Sequence, residues 1–339
     1  ERILMNQYII SLKELVEENY DITVLSMSQI KNVYKIIAVE GNFCLKQFKY
    51  DFYRLKHILE IFDYFKKEYF DNILDLIETF SCEKYIELNG IYFYMTEWIN
   101  CRELNYSNTY DLIRGAQHIA KFHEYSKGFK ASIETKVDVR WMKWIKIFEE
   151  KKNDLTKFKE IIENKDKPSL FDKIYIDNIQ RNIDLANSSI EKLYDFDYEN
   201  IMQEHIKKGY ICHHDLAHHN ILLDSRENIY FIDFDYVILD SYLHDLGSFI
   251  MRCLKLGRWN MDKFKIIFNA YKDVKHVSNK ELCLAMSFIL FPNDFWQLGV
   301  QYYSEKLKWD ENKFLRRLTR SENDKQDRVN FIENIISNQ

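Results

Sequence analysis

The strand-forming segments of this chain are concentrated in its first hundred residues, and this feature constrains the fold more than any other. Runs rich in β-branched and aromatic residues predict strands at 22–25, 33–39, 43–48, 84–88 and 91–95. Glu40-Gly41-Asn42 separates the second and third runs, and Asn89-Gly90 separates the last two. Short links of this kind, Asn-Gly above all, are typical of β-hairpins. The sequence therefore predicts a small antiparallel sheet.

Helical periodicity dominates the rest of the chain. Between the two hairpins, apolar residues recur at positions 55, 58, 59, 62 and 65, which predicts one helix with an apolar stripe facing the sheet. After about residue 100 the pattern is mainly helical and amphipathic, with a break near Pro168. We therefore expect an α+β fold, with a small antiparallel β lobe carrying one helix (residues 1–98) and a large, mainly helical lobe (residues 99–339).

Charge and apolar content exclude two classes of partner. The 339 residues include 48 Lys+Arg and 53 Asp+Glu, so the formal net charge of −5 provides no overall attraction to nucleic acid or to anionic lipid. No run approaches the ~18 consecutive apolar residues of a membrane span. We therefore expect neither nucleic acid nor a membrane as a partner. Six scattered cysteines without a C-x-x-C pair indicate reduced, buried thiols in a cytoplasmic protein.

One polar segment interrupts the helical part of the chain. Strand-like runs at 210–212, 221–223 and 229–234 flank His213-His214-Asp215 and His218-His219-Asn220, and Asp233-Phe234-Asp235 follows. Cys212 and the four histidines suggest zinc, although their spacing only approximates the paired ligands of structural zinc sites. A second interpretation is that this polar segment is simply a turn between strands and has no chemical role.

The carboxylates of the segment favour a third interpretation. Phosphoryl transfer requires one carboxylate to accept the proton of the attacking hydroxyl, and hard oxygen ligands to hold Mg²⁺ on the nucleotide phosphates. In the pattern H-x-D-x-x-x-x-N, Asp215 suits the catalytic base and Asn220 offers an amide oxygen five residues later. Asp233 offers a carboxylate after the next apolar strand, and His213 is expected to brace the loop. The pattern therefore favours a phosphotransferase.

The same residues resemble the kinase-like phosphotransferases of the aminoglycoside and choline kinase type, and more narrowly the CotS family of bacterial spore coat proteins. In these families the second metal motif is D-x-D or D-x-E, matched here by Asp233-Phe234-Asp235. The narrower resemblance also rests on residues 95–104, 139–141, 244–247, 291–296 and 301–303. It implies a bilobal protein-kinase-like fold that uses ATP and Mg²⁺.

The resemblance assigns roles to residues outside the polar segment. It implies that Lys46 pairs with the α- and β-phosphates of ATP, with Glu60 on the following helix as its partner. Residues 97–99 (Glu97, Trp98 and Ile99) would offer backbone groups to adenine. Asp235 becomes an accessory Mg²⁺ ligand, and Asp245 a support for the catalytic loop.

The loop at residues 27–34 departs from the family pattern, because it contains no glycine. A glycine-rich loop allows backbone N–H groups to approach the phosphates closely. Ser28 and Asn32 are the expected substitutes, as side chains that cap phosphate groups.

The predicted function is ATP- and Mg²⁺-dependent phosphoryl transfer to a hydroxyl of an unidentified small-molecule or protein acceptor. One alternative is a structural spore coat protein with a vestigial kinase fold. Another is an aminoglycoside kinase, which would need an acidic pocket for its polycationic substrate. The resemblance implies other spore coat proteins as candidate partners. It also implies a location in the mother-cell cytoplasm, with deposition in the spore coat.

Overall fold

The computed structural model describes residues 2–339, with side chains described from residue 7 onward. Its strands are β1 (Val24–Ile30), β2 (Val33–Ala38), β3 (Asn42–Phe48), β4 (Ile86–Leu88), β5 (Ile91–Glu97), β6 (Cys101–Glu103), β7 (Ile211–Cys212), β8 (Ile221–Asp224), β9 (Ile229–Phe231) and β10 (Ile238–Leu239). Its α-helices are α1 (Arg2–Asn19), α2 (Phe52–Lys67), α3 (Thr109–Tyr125), α4 (Trp144–Glu163), α5 (Leu170–Asp195), α6 (Tyr198–Lys208), α7 (Tyr242–Leu254), α8 (Met261–Lys272), α9 (Asn279–Leu290), α10 (Asn293–Gly299) and α11 (Glu311–Ser337).

The chain forms two compact units, each built from separate stretches of sequence. Unit 1 contains Glu1–Asn105, Glu124–Asp138 and Ala217–Val237. Unit 2 contains Tyr106–His123, Val139–Leu216 and Ile238–Gln339. The assignment of nucleotide binding to residues 1–98 and acceptor binding to residues 99–339 stays a proposal.

Unit 1 contains the predicted antiparallel sheet, with strand order β1-β2-β3-β5-β4. The turn between β4 and β5 explains the Asn-Gly signal, since Asn89 (φ 54°) and Gly90 (φ 77°) are both left-handed, as a tight hairpin turn requires. The predicted loop at residues 27–34 is much shorter than expected. Strand β1 continues to Ile30, which pairs with Val33, so only Lys31 and Asn32 form the turn.

Unit 1 also contains two helices, α1 and α2. Helix α2 is the predicted one, and its N-terminus is capped by the Asp51 side chain, which accepts a hydrogen bond from the backbone N–H of Arg54. Helix α1 was not predicted. Its buried residues Leu12 and Val16 join the apolar cluster of the sheet, together with residues such as Phe93. A second, three-stranded sheet in unit 1 has the order β6-β8-β9.

Unit 2 is mainly helical, as predicted. The break at Pro168 falls between α4 and α5, and Ser169 starts α5 with a capping box completed by Asp172. Helices α4, α5, α10 and α11 share one apolar core, rich in aromatic rings such as Phe158, Phe171 and Tyr175. Strands β7 and β10 pair antiparallel and flank the segment that carries Asp215.

The structure also bears on the expectations about membrane-spanning segments and cysteines. None of the helices in residues 2–339 is long and apolar enough to span a bilayer. All six cysteines are free thiols, but Cys82 and Cys101 are exposed, which corrects the expectation that all are buried.

Candidate active site

Lys46 organises the part of the candidate site that lies in unit 1. It sits in β3 directly opposite Tyr94 of β5, and only 6% of its surface is exposed. Its Nζ donates to Asp233 Oδ1 at 2.5 Å and to Asp235 Oδ1 at 2.6 Å. The structure therefore brings three of the predicted site residues together at one point.

The charges of this cluster support one another. Burial disfavours the ammonium form of Lys46, but the neighbouring acidic groups outweigh burial and raise its pKa above the usual value. Burial raises the pKa of Asp235, an effect that Lys46 partly offsets. The two carboxylates thus share one cation in a site that is largely shielded from solvent.

Backbone hydrogen bonds place Asn220 beside the Asp233 motif. Asn220 is 1% exposed, and its carbonyl accepts from the N–H of Ile232, the residue before Asp233. Asp233 itself adopts a left-handed conformation (φ 67°). The amide oxygen of Asn220 and the carboxylates of Asp233 and Asp235 are the hard oxygen donors that Mg²⁺ prefers. The convergence of both carboxylates on the Lys46 ammonium shows that this pair can hold a cation, so the donor set fits the metal.

Arg54 is a residue of this site that the sequence analysis missed. From the first turn of α2, its guanidinium donates to the backbone carbonyls of Asp235 (3.1 Å) and Val237 (2.5 Å). It therefore fixes the chain just after the carboxylates. Nothing in the local sequence indicates this contact, because its partners lie about 180 residues away.

The expected pairing of Lys46 with Glu60 is not present. The Glu60 carboxylate instead accepts hydrogen bonds from the Ser132 backbone N–H and the Thr135 hydroxyl, both at 3.3 Å. Glu60 thus anchors the segment after α3, and Asp233 and Asp235 provide the negative charge beside the lysine.

The structure locates the other residues that were predicted to bind the nucleotide. Ser28 lies within β1, opposite Lys35, and not in a loop. Asn32 is in the hairpin turn, and its carbonyl accepts from the N–H of Gln47. The N–H of Trp98 donates to the Asn42 carbonyl, so Trp98 can offer adenine only its own carbonyl, and Glu97 pairs with Phe43 at the end of β5. These assignments stay predictions.

Unit 2 contains Asp215 on a loop that is fixed by Asp245. The Asp245 carboxylate accepts the backbone N–H groups of His213 at 2.6 Å and His214 at 2.9 Å, which confirms the predicted support. His214 is left-handed (φ 68°), so the loop is held in a conformation that few residues adopt freely. The Asp215 N–H approaches His213 Nδ1 at 3.4 Å, in line with the expected bracing role of His213.

Asp245 remains ionised in a fully buried position. Burial would raise its pKa, but the hydrogen bond from His123 Nε2 at 3.3 Å and the charge of that ring hold the pKa well below its usual range. The other nitrogen of His123 contacts the Tyr271 hydroxyl at 2.7 Å. The loop that carries Asp215 is thus held by a buried polar network.

Arg252 is the second residue that the sequence analysis missed. Its guanidinium donates to Asp215 Oδ1 at 2.8 Å, and both side chains are partly exposed. Arg252 lies seven residues after Asp245 on α7, and this spacing places both on one face of the helix. This seven-residue spacing is the sequence feature that could have indicated Arg252 as a site residue.

The zinc interpretation finds no support in the geometry. Among the described residues, one group of three candidate ligands converges, namely His123, Cys212 and Asp245. It includes none of the four histidines of the polar segment. Its members already hold hydrogen bonds within the protein, such as the contact of the Cys212 thiol with the Ser241 carbonyl.

The chain is similar to known spore coat proteins. A family model described as "Spore coat putative kinase YutH" matches residues 13–335. The spore coat protein S of Bacillus subtilis is 24% identical over 220 residues, which is 63% of this chain and 61% of that protein, so less than two thirds of the relative is matched.

Two solved structures illustrate the fold. An aminoglycoside phosphotransferase from Alicyclobacillus acidocaldarius aligns with a TM-score of 0.83 at 17% identity, covering 96% of this chain and 95% of that one. A spectinomycin phosphotransferase bound to AMP aligns with a TM-score of 0.66 at 15% identity, covering 91% and 93%. At these identities the likeness shows the fold alone, and the predicted kinase-like fold is confirmed.

The predicted resemblance to spore coat proteins of the CotS type is confirmed as well. Because the family model spans nearly the whole chain, this protein belongs to the family described as "Spore coat putative kinase YutH".

Proposed function

We propose that this protein is an ATP- and Mg²⁺-dependent phosphotransferase that acts on a hydroxyl of a small-molecule or protein acceptor. The observation that carries the proposal is the cluster in which Lys46 contacts both Asp233 and Asp235, with Asn220 joined to the residue before Asp233. A cation and two carboxylates at one point, with an amide side chain on the neighbouring stretch of backbone, suit a magnesium nucleotide.

In the proposed reaction, the acceptor oxygen forms a bond to the γ-phosphorus of ATP. The bond from that phosphorus to the bridging oxygen breaks, and ADP leaves with the electron pair. Asp215 accepts the proton of the hydroxyl, a role worth about 10²–10⁴ in rate. Arg252, which donates to Asp215 Oδ1, holds the Asp215 carboxylate in a fixed orientation.

The remaining residues position the phosphates. Lys46 orients the α- and β-phosphates, and Asn220 and Asp233 hold Mg²⁺, with Asp235 as an accessory ligand. Mg²⁺ neutralises charge on the transferring phosphoryl group. Backbone groups of Glu97, Trp98 and Ile99 contact adenine, and Asn32 lies near the phosphates at the β1–β2 turn. Nucleotide binding by this fold is supported by the AMP that the spectinomycin phosphotransferase holds.

ATP turnover in the presence of candidate acceptors tests the proposal. The Asp215→Asn variant keeps the shape of the side chain but removes the base, so we expect phosphoryl transfer to fall by about 10²-fold or more. Asp262 is exposed in the first turn of α8, and Asp262→Asn is the matched control. Equal turnover in the Asp215→Asn variant and the wild type would overturn the assignment.

The alternative is a spore coat assembly protein with a vestigial kinase fold. The two-residue turn between β1 and β2 favours it, because this turn offers few backbone N–H groups to phosphates and contains no glycine. In that case other coat proteins are the partners, and the protein is deposited from the mother-cell cytoplasm into the coat. Absence of both a thermal shift and turnover with millimolar MgATP would favour this alternative.

A further inference from the structure

A cavity in unit 2 has a lining that indicates the class of acceptor. Its volume is about 290 Å³, and α4 and α7 form two of its walls. Aromatic side chains line part of it: Trp144, Phe148, Phe288 and Phe291. A cavity of this size and lining suits a small molecule with an apolar portion.

Cations outnumber anions in this lining. The cationic side chains are Arg140, Lys151, Arg252 and Lys255, and the acidic ones are Asp240 and Asp294. Asp240 is 1% exposed, and its two oxygens accept hydrogen bonds from Trp144 Nε1 (2.8 Å) and the Ser241 N–H (2.7 Å). Its oxygens are therefore occupied within the protein, and His244 and Arg140 are the charged neighbours of Asp240, whereas Asp294 is exposed to solvent.

Two of the cations have no acidic counterpart. Among residues 7–339, no carboxylate lies within 4.0 Å of Lys151 Nζ or Lys255 Nζ. Lys151 donates to Asn293 Oδ1 at 2.6 Å and lies 4.2 Å from the centre of the Trp296 ring. Burial, together with the nearby charge of Arg140, lowers the pKa of Lys151 to about 8. An anion beside this ammonium would remove the electrostatic cost of holding it there.

Arg252 links the cavity to the proposed catalytic base. It lines the cavity, and its guanidinium also donates to Asp215 at 2.8 Å. A molecule that contacts Arg252 in the cavity therefore lies near Asp215, the group that would accept its hydroxyl proton.

We propose that the acceptor carries an anionic group, a carboxylate or a phosphate, which Lys151 and Lys255 bind while its hydroxyl is presented to Asp215. This inference rests on the proposed phosphotransferase function and adds the substrate class. The positive lining attracts anions and repels polycations, so it argues against an aminoglycoside substrate.

Binding of three matched probes by isothermal titration calorimetry, without nucleotide and at low ionic strength, tests the inference. Mandelate, phenylethylene glycol and phenylethanolamine share a phenyl ring and a hydroxyl but are anionic, neutral and cationic. We expect mandelate to bind about tenfold more tightly than the cationic probe. Competition by acetate and by inorganic phosphate shows which anionic group the cavity prefers.

Variants on two helices identify the cations responsible. Replacing both lysines (Lys151→Gln with Lys255→Gln) should reduce the preference for mandelate to less than about threefold. Lys146→Gln is the matched control on α4, because Lys146 is 77% exposed and pairs with Glu150. A wild-type protein that prefers the cationic probe, shows no preference, or does not bind mandelate at about 20 mM would overturn the inference. A preference that survives in the double variant would do the same.

The two proposals fail in distinguishable ways. If mandelate binds as expected but MgATP is neither bound nor turned over, the phosphotransferase proposal fails and the anion site remains. If MgATP is turned over but the anionic probe has no advantage, only the substrate class is wrong.

Discussion

Lys46 shows how a single side chain can determine both stability and chemistry. Among the described residues, it is the one cation that pairs with the carboxylates of Asp233 and Asp235. Its ammonium is nearly buried, so removing it would leave two carboxylates in a poorly solvated position.

We predict that Lys46→Met lowers the free energy of unfolding by about 3 kcal/mol, because it leaves buried charge uncompensated. Urea denaturation measures this loss. The same substitution combined with Asp235→Asn should be less destabilising than the sum of the two single changes, because the double variant removes one of the stranded charges. Strict additivity would show that the contact contributes nothing.

Sequence spacing is informative for site residues that lie close together along the chain. Asp215, Asn220 and Asp233 lie on one loop and the hairpin after it, so their spacing predicts a shared role, which stays a prediction. Whether Glu60 faces Lys46 could not be predicted from spacing, because the rotation of α2 relative to β3 depends on packing. Arg252 and Arg54 act on parts of the chain that are distant in sequence.

At the level of elements, helix–helix packing around Gly299 leaves no space for a side chain. A Cβ at this position in α10 would lie 2.3 Å from Tyr175 Oη and 2.7 Å from Phe158 Cδ2. Both rings belong to the aromatic core of unit 2. Neither buried ring can move without disturbing its neighbours.

We predict that Gly299→Ala destabilises the protein by about 1–3 kcal/mol, the usual cost of overpacking a dense core. Gly247→Ala on α7 is the matched control, since its Cβ would meet no atom closer than 3.3 Å. Thermal melting of both variants gives the comparison, and equal melting temperatures would contradict the packing argument.

The start of α9 carries the clearest pH dependence. Glu281 completes a capping box with Ser278, and it also accepts from His205 Nε2 at 2.9 Å and the Tyr242 hydroxyl at 2.8 Å. Burial opposes ionisation of Glu281, but these hydrogen bonds outweigh it and lower the pKa to about 2. Burial lowers the pKa of His205, and the hydrogen bond to Glu281 partly offsets this effect.

A lowered pKa in the folded state means that the unfolded chain binds more protons in acid. The contribution of Glu281 is therefore complete above about pH 4.5 and is lost as the pH falls towards 2. We predict that Glu281→Gln removes up to about 3 kcal/mol of this pH-dependent stability. Urea midpoints at several acidic pH values measure it, with exposed Glu191→Gln as control. An unchanged slope in the Glu281→Gln variant would disprove the assignment.

Elements were predictable where a strong local pattern exists. The Asn-Gly turn and the alternating strands of unit 1 are examples, as is the break at Pro168. Helix α1 was missed because its apolar residues, such as Leu12 and Val16, are interpretable only once the sheet that they cover is known. The extent of β1 was missed because its residues are mainly exposed and so lack an alternating apolar pattern.

At the scale of the whole molecule, the chain has a kinase-like fold and belongs to a family described as spore coat putative kinases. The kinase-like fold supports many acceptors, so the acceptor cannot follow from the fold. Two groups of side chains indicate the function: a lysine between two carboxylates in unit 1, and an aspartate beside a basic cavity in unit 2.

The most direct test is calorimetric titration of the protein with the ATP analogue AMP-PNP, with Mg²⁺ and with EDTA. We predict binding that requires Mg²⁺ and that weakens by about 10–100-fold in Asp233→Asn, while the exposed control Asp21→Asn binds as the wild type does. Binding that is equal with EDTA and in Asp233→Asn, or no binding at about 5 mM, would contradict the account.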